Sequence, residues 1–187
     1  MAVTTVPAPV GAAETVELPV APTEVRALSA VQRHIGKGPV VATARGMSLF
    51  GEHAAGWLAL GLLGALVDRP RRRDWFTATA GVAAAHGASI AVKRVVRRPR
   101  PADPRVQVLV GTPSRLSFPS AHATSTTAAA VLFGRLLGRR LTPAVVPPMA
   151  LSRLVLGVHY PTDVAAGALL GAGVAAATRR LSGRSSR

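Results

Sequence analysis

The chain has 187 residues, of which 49% are hydrophobic and only 17% charged, whereas soluble domains carry about a quarter charged residues. A bilayer is therefore expected to be the solvent for much of the chain, and disorder throughout the chain is excluded. Because cysteine is absent, disulfides, thiolate nucleophiles and cysteine-ligated metal sites are excluded as well. The formal net charge of +15 indicates a phosphate-bearing partner such as nucleic acid, anionic lipid or a phosphorylated substrate.

The N-terminal region lacks the features of a secretory signal. Residues 1–25 contain no basic residue and no apolar core, so a disordered tail is predicted over residues 1–23. Residues 24–37 place apolar side chains at helical spacing among charged ones, which predicts a helix at the membrane interface rather than a span. We assign the region 24–46 to this interfacial segment.

Five apolar stretches of about 15 to 19 residues follow, close to the length of about 20 that a transmembrane helix needs. They are approximately Leu49–Val67, Trp75–Val92, Ala123–Leu137, Pro143–Val158 and Val164–Thr178. Helices buried in a soluble bundle are the alternative, but none of the five has an acidic outer face. The sequence predicts an all-α integral membrane bundle of about five transmembrane helices over residues 47–180, in the cell membrane, with a basic tail over 181–187.

The links between these stretches indicate which helix ends share a membrane face. The basic links 68–74 and 138–142 and the C-terminal tail are predicted on the cytoplasmic side. The links 93–122 and 159–163 then lie together on the opposite side. Basic residues are divided almost equally between the two sets, so their number selects neither orientation.

The links on this shared side carry residues suited to phosphoryl transfer. A transferring phosphoryl group has negative charge on three equatorial oxygens, which Lys93, Arg100 and Arg153 could neutralise. Ser120 adds a hydroxyl donor, and a helix that begins near it would direct free N–H groups at the anion.

Two histidines and an aspartate complete the constellation. Of His122 and His159, one could attack phosphorus as a neutral imidazole while the other protonates the leaving oxygen. Asp163 follows His159 by four residues, which on a helical turn places the carboxylate beside the imidazole, where it could fix the tautomer.

These residues resemble the pattern of the type 2 phosphatidic acid phosphatase (PAP2) superfamily. The pattern K-x6-R-P matches Lys93 to Pro101, P-S-G-H matches Pro119 to His122 with alanine in place of glycine, and S-R-x5-H-x3-D matches Ser152 to Asp163. The resemblance implies a helical fold without metal or cofactor and assigns roles to individual residues. It makes His159 the nucleophile that forms a phosphohistidine, His122 the general acid and Asp163 the residue that orients His159; Lys93, Arg100, Ser120, the Ala121 amide and Arg153 would bind phosphate.

Longer stretches extend the resemblance to one branch of the superfamily. Residues 50–57, 111–130 and 147–163 are similar to actinobacterial members that act on decaprenylphosphoryl-5-phosphoribose, which implies a polyprenyl-linked phosphate as the substrate and membrane lipids as surroundings. Undecaprenyl diphosphate and phosphatidic acid are the alternative substrates. A non-catalytic scaffold that binds anionic lipid is the alternative from another class. Nucleic acid is not expected, because no recognition motif is present and the basic residues lie between apolar stretches.

A few polar residues outside the motifs are further candidates. Glu52 and His53, at the start of the first apolar stretch, could contact a substrate sugar or simply mark the wet interface. Tyr160 could line a lipid entrance or anchor the interface. His86, among alanine and glycine, is predicted to be a packed histidine bonded to a neighbouring helix. Arg94, Arg97 and Arg98 are predicted to form a patch for lipid headgroups.

Overall fold

The computed structural model describes residues 22–185, so the tail predicted over residues 1–23 lies outside the described residues except for its last two. The described part is all-helical, as predicted, with seven α-helices and no strand. These are α1 (Thr23–Ile35), α2 (Gly38–Gly51), α3 (Ala55–Val67), α4 (Arg72–Val96), α5 (Ala121–Leu136), α6 (Thr142–Val155) and α7 (Pro161–Ser185). Single turns of 3₁₀ helix, Glu52–Ala54 and Arg69–Arg71, join α2 to α3 and α3 to α4.

The predicted apolar stretches fall on these helices, with the first on the end of α2 and all of α3. The region predicted as an interfacial segment, 24–46, contains nearly all of α1 and the first part of α2, and α7 continues into the predicted basic tail. Within residues 22–185, one helical stretch, Gly38–Val67, is long and apolar enough to cross a membrane.

Helix α5 forms the centre of the bundle and contacts α2, α3, α4, α6 and α7. Its small side chains, mostly alanine, serine and threonine, are buried along nearly its whole length, which lets the neighbouring helices approach closely. The closest approach is made by α7, where a β-carbon placed on Gly171 would lie 2.2 Å from the carbonyl oxygen of Thr124. Trp57, Trp75 and Phe133 fill the wider space between α3, α4 and α5.

The segment 97–120 folds across one end of the bundle and is fixed there by the end of α4. The ammonium of Lys93 donates hydrogen bonds to the carbonyl oxygens of Leu116, Ser117 and Pro119 at 3.2, 3.0 and 2.7 Å. The peptide bond between Phe118 and Pro119 is cis. This arrangement brings the start of α5 to the same end of the bundle as the turn between α6 and α7.

Candidate active site

His159 lies in the turn between α6 and α7, where the chain reverses at Gly157 with φ of +68°. His159 is 2% exposed, and Asp163, in the first turn of α7, is fully buried beside it. Its Nδ1 lies 3.6 Å from Oδ2 of Asp163, and Oδ2 is held in place by the backbone N–H of Tyr160 at 2.8 Å. The spacing of four residues therefore places the carboxylate beside the imidazole.

The contacts of His159 define its protonation state. Arg100 directs Nη1 at Nε2 of the imidazole, 3.2 Å away, and a guanidinium can only donate, so Nε2 carries a lone pair and Nδ1 carries the proton that faces Asp163. Burial lowers the pKa of His159 to about 4 against the opposing effect of Asp163, with further lowering by Arg100 and Lys93. The imidazole is therefore neutral at physiological pH, as a nucleophile requires.

His122 is the second residue of α5 and borders the same cavities as His159. Its Nε2 lies 3.0 Å from the carbonyl oxygen of Ser48 in α2, which can only accept a hydrogen bond. The start of α5 is tied to the start of α7, because the backbone N–H of Ser120 donates to the carbonyl of Asp163 at 2.9 Å. This bond brings the second and third motif segments together.

Two guanidinium groups provide buried positive charge next to the histidines. Arg153 in α6 is 1% exposed and donates to the hydroxyl groups of Ser152 and Ser48 at 3.1 and 3.0 Å. Arg100 donates to the carbonyl oxygens of Ser114 and Val158, and burial lowers its pKa to about 10 against the opposing effect of Asp163, which leaves it charged. Neither has a described carboxylate within 4.0 Å, so their charge suits an anionic ligand.

The other predicted phosphate ligands differ from the two arginines, because two of them use their side chains to bond the backbone. Lys93 directs its three donors at backbone carbonyls, so it holds the 97–120 segment while its side chain borders the larger cavity. Ser120 is fully buried and caps α5, accepting from the backbone N–H of Ala123 at 3.4 Å. Ala121 borders the larger cavity.

Two cavities share the two histidines as lining residues. The smaller, about 130 Å³, contains Arg153 and Ser48, and the larger, about 310 Å³, extends between the 3₁₀ turn and α4. Both are bordered by Glu52, Arg100, Pro113, His122 and His159. In the described residues no three histidine, aspartate or glutamate side chains form a group that could hold a metal ion.

The candidates outside the motifs have different environments. Glu52 borders both cavities and His53 the larger one. The ring of Tyr160 borders neither cavity, lies under the guanidinium of Arg98, 4.1 Å away, and packs against apolar side chains of α1; its predicted place at a lipid entrance or at the membrane interface stays a prediction. The Nδ1 of His86 is buried without a hydrogen-bond partner, so the predicted bond to a neighbouring helix is not made by this nitrogen.

Sequence reasoning missed two residues of the site, Ser48 and Arg98. Ser48 bonds both His122 and Arg153. Arg98, predicted to be a headgroup ligand, instead donates to Oδ1 of Asp163 at 3.0 Å and pairs with Glu24 of α1. Its charged neighbours in the sequence hid it, because nothing local distinguishes Arg98 from Arg97.

Comparisons with known proteins identify the family of the chain. A profile of the PAP2 superfamily matches residues 74–187. The decaprenylphosphoryl-5-phosphoribose phosphatase of Mycobacterium tuberculosis is 58% identical over 154 residues, which cover 82% of this chain and 87% of that protein. The protein of the same name from Mycolicibacterium smegmatis is 60% identical over 141 residues, covering 75% and 78%.

A solved structure has the same fold. The crystal structure of a transmembrane PAP2-type phosphatidylglycerolphosphate phosphatase from Bacillus subtilis superposes with a TM-score of 0.68 over 85% of this chain and 86% of that one. The two sequences are 20% identical, so this likeness concerns the fold alone.

Proposed function

Since the chain belongs to the PAP2 superfamily, we propose that it is a membrane phosphatase that removes the 5-phosphate from decaprenylphosphoryl-5-phosphoribose through a phosphohistidine. The names of the relatives that are 58% and 60% identical support this substrate. The observation that carries the mechanism is His159, a buried neutral imidazole whose Nε2 faces a guanidinium and whose Nδ1 lies 3.6 Å from a carboxylate oxygen, without a hydrogen bond.

The first chemical step transfers the phosphoryl group to His159. The phosphate occupies the smaller cavity, where Arg100 and Arg153 neutralise its oxygens. The lone pair on Nε2 of His159 forms the bond to phosphorus as the bond from phosphorus to the sugar oxygen breaks. His122, whose protonated form the nearby anion favours, gives its proton to that oxygen, and Asp163 stabilises the positive charge that develops on His159.

The second step regenerates the enzyme. A water molecule attacks phosphorus from the side that the sugar oxygen has left, and His122, now neutral, accepts a proton from it. The nitrogen–phosphorus bond breaks, inorganic phosphate is released, and His159 returns to its neutral form. The same two imidazoles thus serve both steps.

The membrane part of the proposal is a bundle of about five spans in the cell membrane, formed by α2 with α3 and by α4, α5, α6 and α7. Large apolar side chains face outward on these helices, including Leu63 and Leu66 in α3, Phe76 in α4 and Leu169 in α7. An outward apolar face suits lipid and would let a lipid-linked substrate reach the site from within the bilayer.

The test is hydrolysis by the purified full chain in detergent or proteoliposomes. We expect release of phosphate from decaprenylphosphoryl-5-phosphoribose at a higher kcat/KM than from undecaprenyl diphosphate or phosphatidic acid, with no change on addition of EDTA. His159→Ala should lower kcat by about 10³-fold or more, while His34→Ala, at an exposed position on α1, should leave it unchanged. Full activity of His159→Ala would overturn the mechanism, and a preference for either other lipid would overturn the substrate.

A further inference from the structure

The larger cavity contains polar groups that the proposed chemistry does not use. It begins at His122 and His159 and extends between the 3₁₀ turn and α4 to His53, His86 and Arg94. Its volume of about 310 Å³ lies in the range of cavities that bind small organic ligands. The cavity therefore offers more room than the transferred phosphate needs.

The far side of this cavity carries His86, a histidine with a buried polar atom that has no hydrogen-bond partner. It lies in α4, its Nδ1 is buried and makes no hydrogen bond, and its ring centroid is 6.4 Å from that of His53. A buried polar atom without a partner destabilises a fold, so such atoms are rare in native structures and call for an explanation. The imidazole borders the cavity, so a ligand hydroxyl there would supply the missing hydrogen bond once the ring turns Nδ1 toward it.

The backbone on the opposite wall adopts an uncommon conformation. His53 and Ala54 have φ of 51° and 60°, in the left-handed region that residues with a β-carbon seldom adopt. Strained residues of this kind occur preferentially at ligand sites. Here the break between α2 and α3 places Glu52 and His53 on the wall of the cavity that faces α4.

The outer part of the cavity combines positive charge with an apolar surface. Arg94 and Ile90 both border it and are both exposed on α4, and no described acidic side chain pairs with Arg94. Arg97, in the next turn, is exposed as well but does not border the cavity.

We propose that this cavity binds the part of the substrate that is not cleaved, a pentose joined through a phosphodiester to a polyprenyl chain. The proposal rests on the proposed function, which places the scissile phosphate in the smaller cavity. Glu52, His53 and His86 then bond the sugar hydroxyls, and His86 turns its imidazole so that Nδ1 gains the bond that it lacks. Arg94 pairs with the phosphodiester, and the prenyl chain leaves past Ile90 into lipid.

The test compares His86→Phe, which keeps a ring but removes both nitrogens, and Arg94→Gln with the matched control Arg97→Gln. For each, KM for decaprenylphosphoryl-5-phosphoribose and the inhibition constant of inorganic phosphate are measured on the full chain. We expect His86→Phe and Arg94→Gln each to raise the KM for this lipid by about tenfold or more, with less than a twofold change in the inhibition constant of phosphate. Arg97→Gln should change neither.

The outcomes separate this proposal from the proposed function. Failure of the unaltered chain to hydrolyse this lipid would overturn both. Hydrolysis by the unaltered chain with an unchanged KM in either His86→Phe or Arg94→Gln would overturn the subsite alone. A parallel rise in the phosphate inhibition constant, or an equal effect of Arg97→Gln, would also overturn it, because the effect would then lie in the catalytic cavity or in general attraction to anionic lipid.

Discussion

Asp163 illustrates how much of the site depends on single side chains with two partners. One carboxylate oxygen faces His159, and the other accepts from Arg98. Arg98 is held in turn by an ion pair with Glu24 and by the ring of Tyr160. Arg98 thus fixes the plane of the carboxylate beside His159, and under the proposed mechanism it is a positioning residue that does not itself border the smaller cavity.

Replacement of Arg98 should therefore affect turnover more than substrate binding. A hydrogen bond between charged groups contributes about 1.5–3 kcal/mol, so we expect Arg98→Gln to lower kcat by about tenfold or more with less than a twofold change in KM. Arg98→Lys should recover part of the loss because it keeps the charge but not the planar fork. Steady-state kinetics against Arg97→Gln as control provide the measurement.

Two other kinetic results for Arg98→Gln would contradict its role as a positioning residue. A raised KM with unchanged kcat in Arg98→Gln would indicate that Arg98 binds lipid headgroups, as its sequence context predicts. Unchanged kinetics would show that Tyr160 and the backbone hold Asp163 without help.

At the scale of single residues, the motif residues were predictable from the sequence, but their hydrogen-bond partners were not. The spacing within each motif is local, so it indicates His122, His159 and Asp163 directly. Ser48 and Glu24 lie 105 and 74 residues from the arginines that they bind, and no local pattern encodes such pairs. Lys93 fits the motif, yet its ammonium bonds backbone carbonyls, a choice that depends on the fold of the 97–120 segment.

At the scale of elements, the site depends on how closely α7 packs on α5, because these helices carry Asp163 and His122. The apolar stretches predicted the helices well. They did not predict α2 as a separate helix, since residues 38–48 include Arg45 and two glycines and lack a continuous apolar run. The break at His53 and Ala54 is likewise set by tertiary structure and not by a glycine or proline at those positions.

Two glycines of α7 test the packing directly. A β-carbon on Gly171 would lie 2.2 Å from a backbone oxygen of α5, whereas one on Gly173 would meet nothing within 4 Å. We expect Gly171→Ala to destabilise the fold by about 1–3 kcal/mol and Gly173→Ala to stabilise it by up to about 1 kcal/mol through helix propensity. Thermal unfolding in detergent measures both; equal melting temperatures would contradict the close packing of α7 on α5.

At the scale of the whole molecule, helix α1 joins the N-terminal part of the chain to the active-site end. Glu24 bonds Thr162 as well as Arg98, and Gln32 bonds the backbone of Gln107 and Val155. The amphipathic pattern predicted a helix here, but its attachment over the α6–α7 turn rests on polar side chains whose partners lie far along the chain. Helix α1 is therefore part of the end of the molecule that carries the candidate active site.

The arrangement in the bilayer is testable because the chain has no cysteine, so single spin labels can be introduced without removing native thiols. Two labels are placed on outward apolar faces, at Leu63→Cys in α3 and Leu169→Cys in α7, where the native side chains are 54% and 75% exposed. Oxygen, which concentrates in hydrocarbon, should reach these labels, whereas a water-soluble nickel chelate should not. Ala102→Cys, exposed in the 97–120 segment, should show the reverse. The measurement is power-saturation electron paramagnetic resonance in proteoliposomes with the chelate on both sides. Access of the chelate to Leu63→Cys or Leu169→Cys would mean that these apolar faces are covered by water or protein, and the multi-span arrangement would have to be abandoned for that helix.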